Sequence, residues 1–274
     1  NITKRNGFTP LHCAVSGGNL EVARLLIEKG AKINAINSMN CTPLHIAVIR
    51  DNKELVKLLI DNGADINARI DTTNSMSRKV PRIDNETPLI LAARYGCKNA
   101  EELLIDKGLD MDGRYNDDSS AMGMAIKNND IDFVKMLIAK GADVNFARGR
   151  ERWYPLHSAV STGNKDIVEL LIKNGADINV KNSEGGSPLY YAIRSGCSRE
   201  IIEFLISKGA DIKAKTKDGV TPLYAASVCN RRDIAELLIE KGANPKEGTI
   251  PPIFGAGKDV IELLLEKGIN VNSR

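Results

Sequence analysis

The chain repeats itself about every 33 residues, and that period limits its fold more than any other feature. The best copy runs from Thr42-Pro43-Leu44-His45-Ile46-Ala47 to Leu58-Leu59-Ile60-Asp61-Asn62-Gly63. Thr42 offers a hydroxyl to the orphan N–H groups of a first helical turn. Pro43 stands at the first helical position, where its missing N–H costs nothing. Asp51-Asn52 interrupt the pattern, and Leu55, Val56, Leu58, Leu59 and Ile60 then make an apolar stripe of helical spacing. Gly63 suits the left-handed conformation that ends a helix. Two helices this short are not stable alone, so the pair needs a neighbour on each side.

The chain supplies those neighbours. Counterparts of Leu44 stand at Leu11, Leu89, Met122, Leu156, Leu189, Leu223 and Ile253, and closing glycines recur from Gly30 to Gly268. Thr9-Pro10-Leu11-His12, Tyr154-Pro155-Leu156-His157, Thr87-Pro88-Leu89 and Thr221-Pro222-Leu223 are variants of the same head. Gly-Ala-Asp-Ile-Asn stands at 63–67 and 175–179, and Gly-Ala-Asp-Val-Asn at 141–145. On these residues the sequence resembles the ankyrin-repeat family over nearly its whole length. The resemblance implies an all-α ankyrin-repeat solenoid of about eight helix–turn–helix repeats with β-hairpin fingers. The repeats fall at about 6–38, 39–71, 84–116, 117–149, 150–183, 184–217, 218–247 and 248–274, in a single domain over 1–274.

Composition agrees with thin stacked helices. Aromatics are only 4% of residues, which suits a core of Leu, Ile, Val and Ala. The net charge of +3 is too small to argue for a polyanion partner. Five cysteines without CxxC spacing read as free thiols of a reducing compartment, hence a cytoplasmic protein. No apolar run approaches the length of a membrane span. Repeat 1 carries Val15, Val22, Leu25, Leu26 and Ile27, ready for neighbours on both sides, so the parent chain is expected to continue N-terminally.

Three places depart from the period. Residues 71–82 are an insertion before Thr87-Pro88, readable as a tolerated surface loop, or else as an extra contact or a phosphorylation switch on serines beside Arg78 and Lys79. Repeat 4 replaces the motif with Ser120-Ala121-Met122-Gly123, losing the proline and gaining a helix-weakening glycine. It is expected to have the lowest local stability. Hydrogen exchange should show helix 120–127 less protected than helix 43–50, and equal protection would refute this. Repeat 8 is cut down, and its Gly255-Ala256-Gly257-Lys258 lacks the first glycine and the Ser or Thr of a phosphate loop.

The sequence holds no catalytic constellation. His12, His45 and His157 all occupy the motif position. In the ankyrin family this histidine ties the helix start to the adjoining loop, which leaves no general base and no metal set. The resemblance likewise assigns the Asp-Ile-Asn asparagines to backbone binding, not calcium. The expectation is therefore no enzyme, no cofactor, no metal and no small-molecule substrate. Arg148, Arg150 and Arg152 cluster and offer nucleic acid a foothold, but with no aromatic ladder and no strong basic excess it is not the expected partner.

The family binds proteins along a concave face of finger tips and exposed first-helix surfaces. Carried onto this chain by counting from each anchor, that face takes in Met39, Ile49, Arg50, Glu86, Arg94, Tyr95, Arg150, Arg152, Trp153 and Arg194, with its centre in repeats 2 to 5. Trp153, the only tryptophan, reads either as an interface anchor or as a patch folded back on the stack beside Tyr154, which replaces the capping Thr. The expected role is a non-catalytic protein-binding scaffold. The alternative is the target-recognition arm of a larger effector, toxin or enzyme, which would act in a host-cell cytoplasm if the effector is bacterial.

Overall fold

The structure is a computed structural model and describes residues 7–70, 86–107, 120–246, 252–253 and 255–268. The 71–82 insertion and Phe254 lie outside the described residues. The chain divides into two compact units, Asn1–Asp143 and Val144–Arg274. Among the described residues the regular elements are helices, without a sheet.

The first unit holds four helix pairs: α1 (Pro10–Ser16) with α2 (Leu20–Glu28), α3 (Pro43–Ile49) with α4 (Lys53–Asp61), α5 (Pro88–Tyr95) with α6 (Lys98–Asp106), and α7 (Ala121–Lys127) with α8 (Ile131–Ala139). The second holds α9 (Pro155–Thr162) with α10 (Lys165–Lys173), α11 (Pro188–Arg194) with α12 (Arg199–Ser207), and α13 (Pro222–Val228) with α14 (Arg232–Glu240). A single helix, α15 (Lys258–Glu266), follows and packs on α14. Within each unit first helices stack on first helices and second on second.

The anchors do what their period implies. Leu11, Leu44, Leu89, Met122, Leu156, Leu189 and Leu223 are all buried. The apolar stripe of each second helix meets them, as with Leu55, Val56 and Leu59 in α4. Thr87, Ser120, Ser187 and Thr221 each accept the N–H three residues on, so one orphan N–H of each helix start is satisfied. Repeat 4 keeps this cap through Ser120 although its proline is gone.

The loops are tied across repeats by the asparagines that close Gly-Ala-Lys-Ile-Asn at 30–34, Gly-Ala-Asp-Val-Asn at 141–145 and Gly-Ala-Asp-Ile-Asn at 175–179. Asn145 donates to the Gly175 carbonyl at 2.8 Å and accepts Asp177 N–H at 2.8 Å. Asn34 does the same toward Gly63 and Asp65, and Asn179 toward Gly209 and Asp211. The side chains are spent on backbone, as the resemblance implied. The fingers are shorter than true hairpins. Those of repeats 2, 6 and 7 close on two backbone bonds each, such as Asn37 N–H to Cys41 O and Asn40 N–H to Asn37 O. Isolated antiparallel bridges join Ile70 to Glu86 and Arg148 to Trp153.

Candidate partner-binding surface

The motif histidines set the base of each finger. His45 Nδ1 accepts the Thr42 N–H at 3.1 Å and lies 2.8 Å from the Thr42 hydroxyl, while Nε2 faces the Ala68 carbonyl at 3.1 Å. His12 and His157 reach forward to the carbonyls of Cys41 and Gly186, at 2.9 and 3.0 Å. A carbonyl needs a donor, so Nε2 carries the proton and Nδ1 is an acceptor. Burial pushes His45 and His157 down to about 4 and lowers His12, holding all three neutral. None is exposed, so none is available to a substrate.

These bonds also correct one rule of the sequence reading. Cys41 and Gly186, each three before its anchor, supply the carbonyls that His12 and His157 grip, and the Glu86 backbone also acts on His45, so these residues face the finger base and not the tip. Cys41, Glu86 and Gly186 are buried there. Glu86 is only 1% exposed and cannot be a partner contact. Arg94 holds its carboxylate with both arms of the guanidinium, Nε to Oε2 at 3.1 Å and Nη2 to Oε1. Arg94 therefore presents a neutralised, half-buried pair. Elsewhere in the first unit, Ile49 and Tyr95 (51% exposed) are open apolar surface. Arg50 is exposed with only a long contact to Ser16, and Met39 is half-buried, its N–H turned to Asn37.

The second unit brings together more than the sequence indicated. Trp153 is half-buried, its ring 5.2 Å from His157 and edge-on to Tyr191 of the next repeat at 4.5 Å. Tyr191 meets Tyr190 edge-on at 5.1 Å. Arg194 lies 5.8 Å from the Tyr190 ring centre and donates to its hydroxyl at 3.0 Å. At the other end Arg152 donates to the Tyr154 hydroxyl at 2.9 Å. Tyr154 makes no side-chain cap, and its ring closes on His157. Arg150 is exposed at the tip. Tyr191 is seated by Asn182, which donates to its hydroxyl at 2.8 Å, and by Gly186, where a Cβ would stand 2.5 Å from the ring.

Tyr190 and Tyr191 were missed in the sequence. The available signal was Tyr190 in the histidine position of the motif and a second tyrosine beside it.

Little else on the described surface offers chemistry. No group of three or more His, Cys, Asp or Glu among the described residues is placed to hold a metal. No described helix is long and apolar enough to cross a membrane. Burial pushes the Cys41 and Cys97 thiols up to about 12 and about 11, which makes both inert. A shallow groove of about 400 Å3 lies between α12 and α14, on the second-helix side and away from the fingers.

Comparison with known proteins decides the family. A model described as ankyrin repeats (3 copies) matches residues 1–70, 71–148, 124–216 and 156–249. The chain belongs to the ankyrin-repeat family. It is similar to the crystal structure of the ankyrin repeat domain of Bcl-3, a unique member of the IkappaB protein family. The match has a TM-score of 0.73 and 28% identity, and covers 86% of this chain and 100% of that one. No curated protein sequence matches the chain. Ankyrin repeats generally mediate protein–protein interaction, and the fold is typically non-catalytic.

Proposed function

We propose that this ankyrin-repeat chain is a non-catalytic module that binds a partner protein on its fingers and first-helix surfaces. The observation that carries the reading is the Trp153–Tyr191–Tyr190–Arg194 array, placed across two successive repeats on the side the family uses. Trp, Tyr and Arg dominate interface energetics because they bury large area and keep a polar end. In the first unit Ile49 and Tyr95 supply further exposed apolar area. Free thiols support a reducing, cytoplasmic setting.

The test is affinity capture from cell lysate with the whole chain, run beside Arg194→Ala and Tyr95→Ala, with a melting curve for each. Both side chains lie outside the core, so melting should hardly move. A captured protein that is lost with either variant supports the reading, and truncating a central contact typically costs about 2 kcal/mol or more of binding. Capture that neither variant weakens would remove these faces from the binding role.

A further inference from the structure

Five arginines of the second unit fall into two classes. Arg199, Arg231 and Arg232 are paired with Glu203, Asp233 and Glu266, all on the second-helix side. Arg152 and Arg194 are held in place by phenol oxygens. A phenol fixes a guanidinium without neutralising it. One donor of five is used, and the rest of the planar fork stays open to a carboxylate. Glu151 and Glu184 are the nearby finger carboxylates, and among the described residues neither forms an ion pair with Arg150, Arg152 or Arg194.

Arg152 also sits where an arginine is costly. Its φ is +50°, at the turn position filled by Gly7, Gly185 and Gly219 in other repeats and by Asn40 in repeat 2. A left-handed conformation costs a residue with a Cβ about 1–2 kcal/mol, and glycine would avoid that cost. Strain kept at a surface tip, with the side chain anchored and its charge unspent, points to a use for that side chain.

We propose that this patch binds an acidic, extended segment of a partner protein, with carboxylates on Arg152 and Arg194 and an apolar side chain against the exposed edges of Trp153 and Tyr191. The inference rests on the protein-binding reading and names the chemistry of its partner. Pre-positioned guanidinium groups lose little freedom on binding, so the charge contacts are cheap to make. Single-stranded nucleic acid fits less well. Stacking needs open ring faces, and here the rings meet edge to face at 68° and 83°, each covering its neighbour.

Trp153 is the sole tryptophan and reports directly on the patch. The 274-residue chain is titrated with a short peptide of alternating glutamate and leucine, with its glutamine counterpart, and with an oligothymidylate. Expected is a saturable change in Trp153 fluorescence with the glutamate peptide only, weakening as salt is raised. Arg194→Ala should reduce that affinity about tenfold, the loss of one charge-assisted contact. Arg152→Gly should reduce it similarly while melting at the same temperature or higher, because strain is relieved. Equal binding of the glutamine peptide, response to the oligothymidylate alone, no saturable response, or affinity unchanged in both variants would each overturn the proposal. A protein captured from lysate whose binding ignores Arg152→Gly and Arg194→Ala but is lost with Tyr95→Ala would overturn it while leaving the protein-binding reading intact.

Discussion

Acidified from above pH 6.5 to pH 4, the chain should lose roughly 3 kcal/mol of stability for each of two histidines, His45 in the first unit and His157 in the second. Both are held near 4 in the folded state, against an ordinary value of 6.5. Desolvation is the larger cause. The carbonyls of Ala68 and Gly186 oppose it in part by favouring a proton on the ring. Protonation would place a second ring proton on Nδ1, which already accepts a backbone N–H at the helix start. The folded state therefore resists the proton and the unfolded state takes it. Stability is intact above 6.5 and drains away as pH falls through the folded value. His12 shifts in the same direction and adds to the loss. Thermal melts by circular dichroism across this window should show the fall, with Trp153 fluorescence following the second unit. His45→Gln should be less stable at neutral pH, since its ring bonds are gone, but should show a shallower pH slope. A melting temperature that does not change down to pH 4 would refute the argument. One opposing group, Glu101, is best removed by substitution before the slope is measured.

Most of the fold was legible because one physical requirement recurs. A helix pair too short to stand alone must expose an apolar stripe to each neighbour, and that requirement stamps the same residues on the chain every 33 or 34 positions. Leu11 through Leu223 could be placed in the core from spacing alone. The candidate surface was legible only in part, because finger residues follow no period. Counting from the anchor located Arg150 and Arg194 on the surface, and Arg152 came in as a flank of Trp153, but the count put Glu86 there as well. The error has a physical source. Which way a finger side chain turns depends on the carbonyl that the previous histidine captures, an interaction between residues 29 apart in repeats without insertion. The aromatic array was hidden for a similar reason. Trp153 and Tyr191 are 38 positions apart, and only the stacking of α9 on α11 makes them neighbours. The Trp153 ring packs on His157 and Tyr191, the packing that the patch reading expected, and is half-buried.

Replacing Glu101 with glutamine should stabilise the chain by roughly 2 kcal/mol above neutral pH and change little below pH 4.5. Glu101 lies in the first turn of α6, is 3% exposed, and its Oε1 has no hydrogen-bond partner among the described residues. Burial is the main reason its carboxyl is pushed up to about 7, and the charges of Asp130 and Asp51 add to it. Neither aspartate is free to move off. Asp51 accepts from the N–H of Ala100 and from Asn99, and Asp130 caps α8 through the N–H of Phe133. Lys98 offsets some of the repulsion but is mostly exposed and 3.9 Å from Asp130. The folded value lies above the ordinary 4.5, so the unfolded chain releases this proton first. The native state is thus favoured in acid and penalised as pH climbs from 4.5 to about 7, the reverse of the histidines. Glutamine has nearly the same shape and no charge, so it removes the penalty and keeps the packing. Urea unfolding of wild type and Glu101→Gln at both ends of that window gives the difference directly. A gain that appears only at the alkaline end identifies the buried charge as its cause. An equal difference at both ends would assign the effect to packing, and a loss at the alkaline end would mean that the carboxylate is better satisfied than its surroundings indicate.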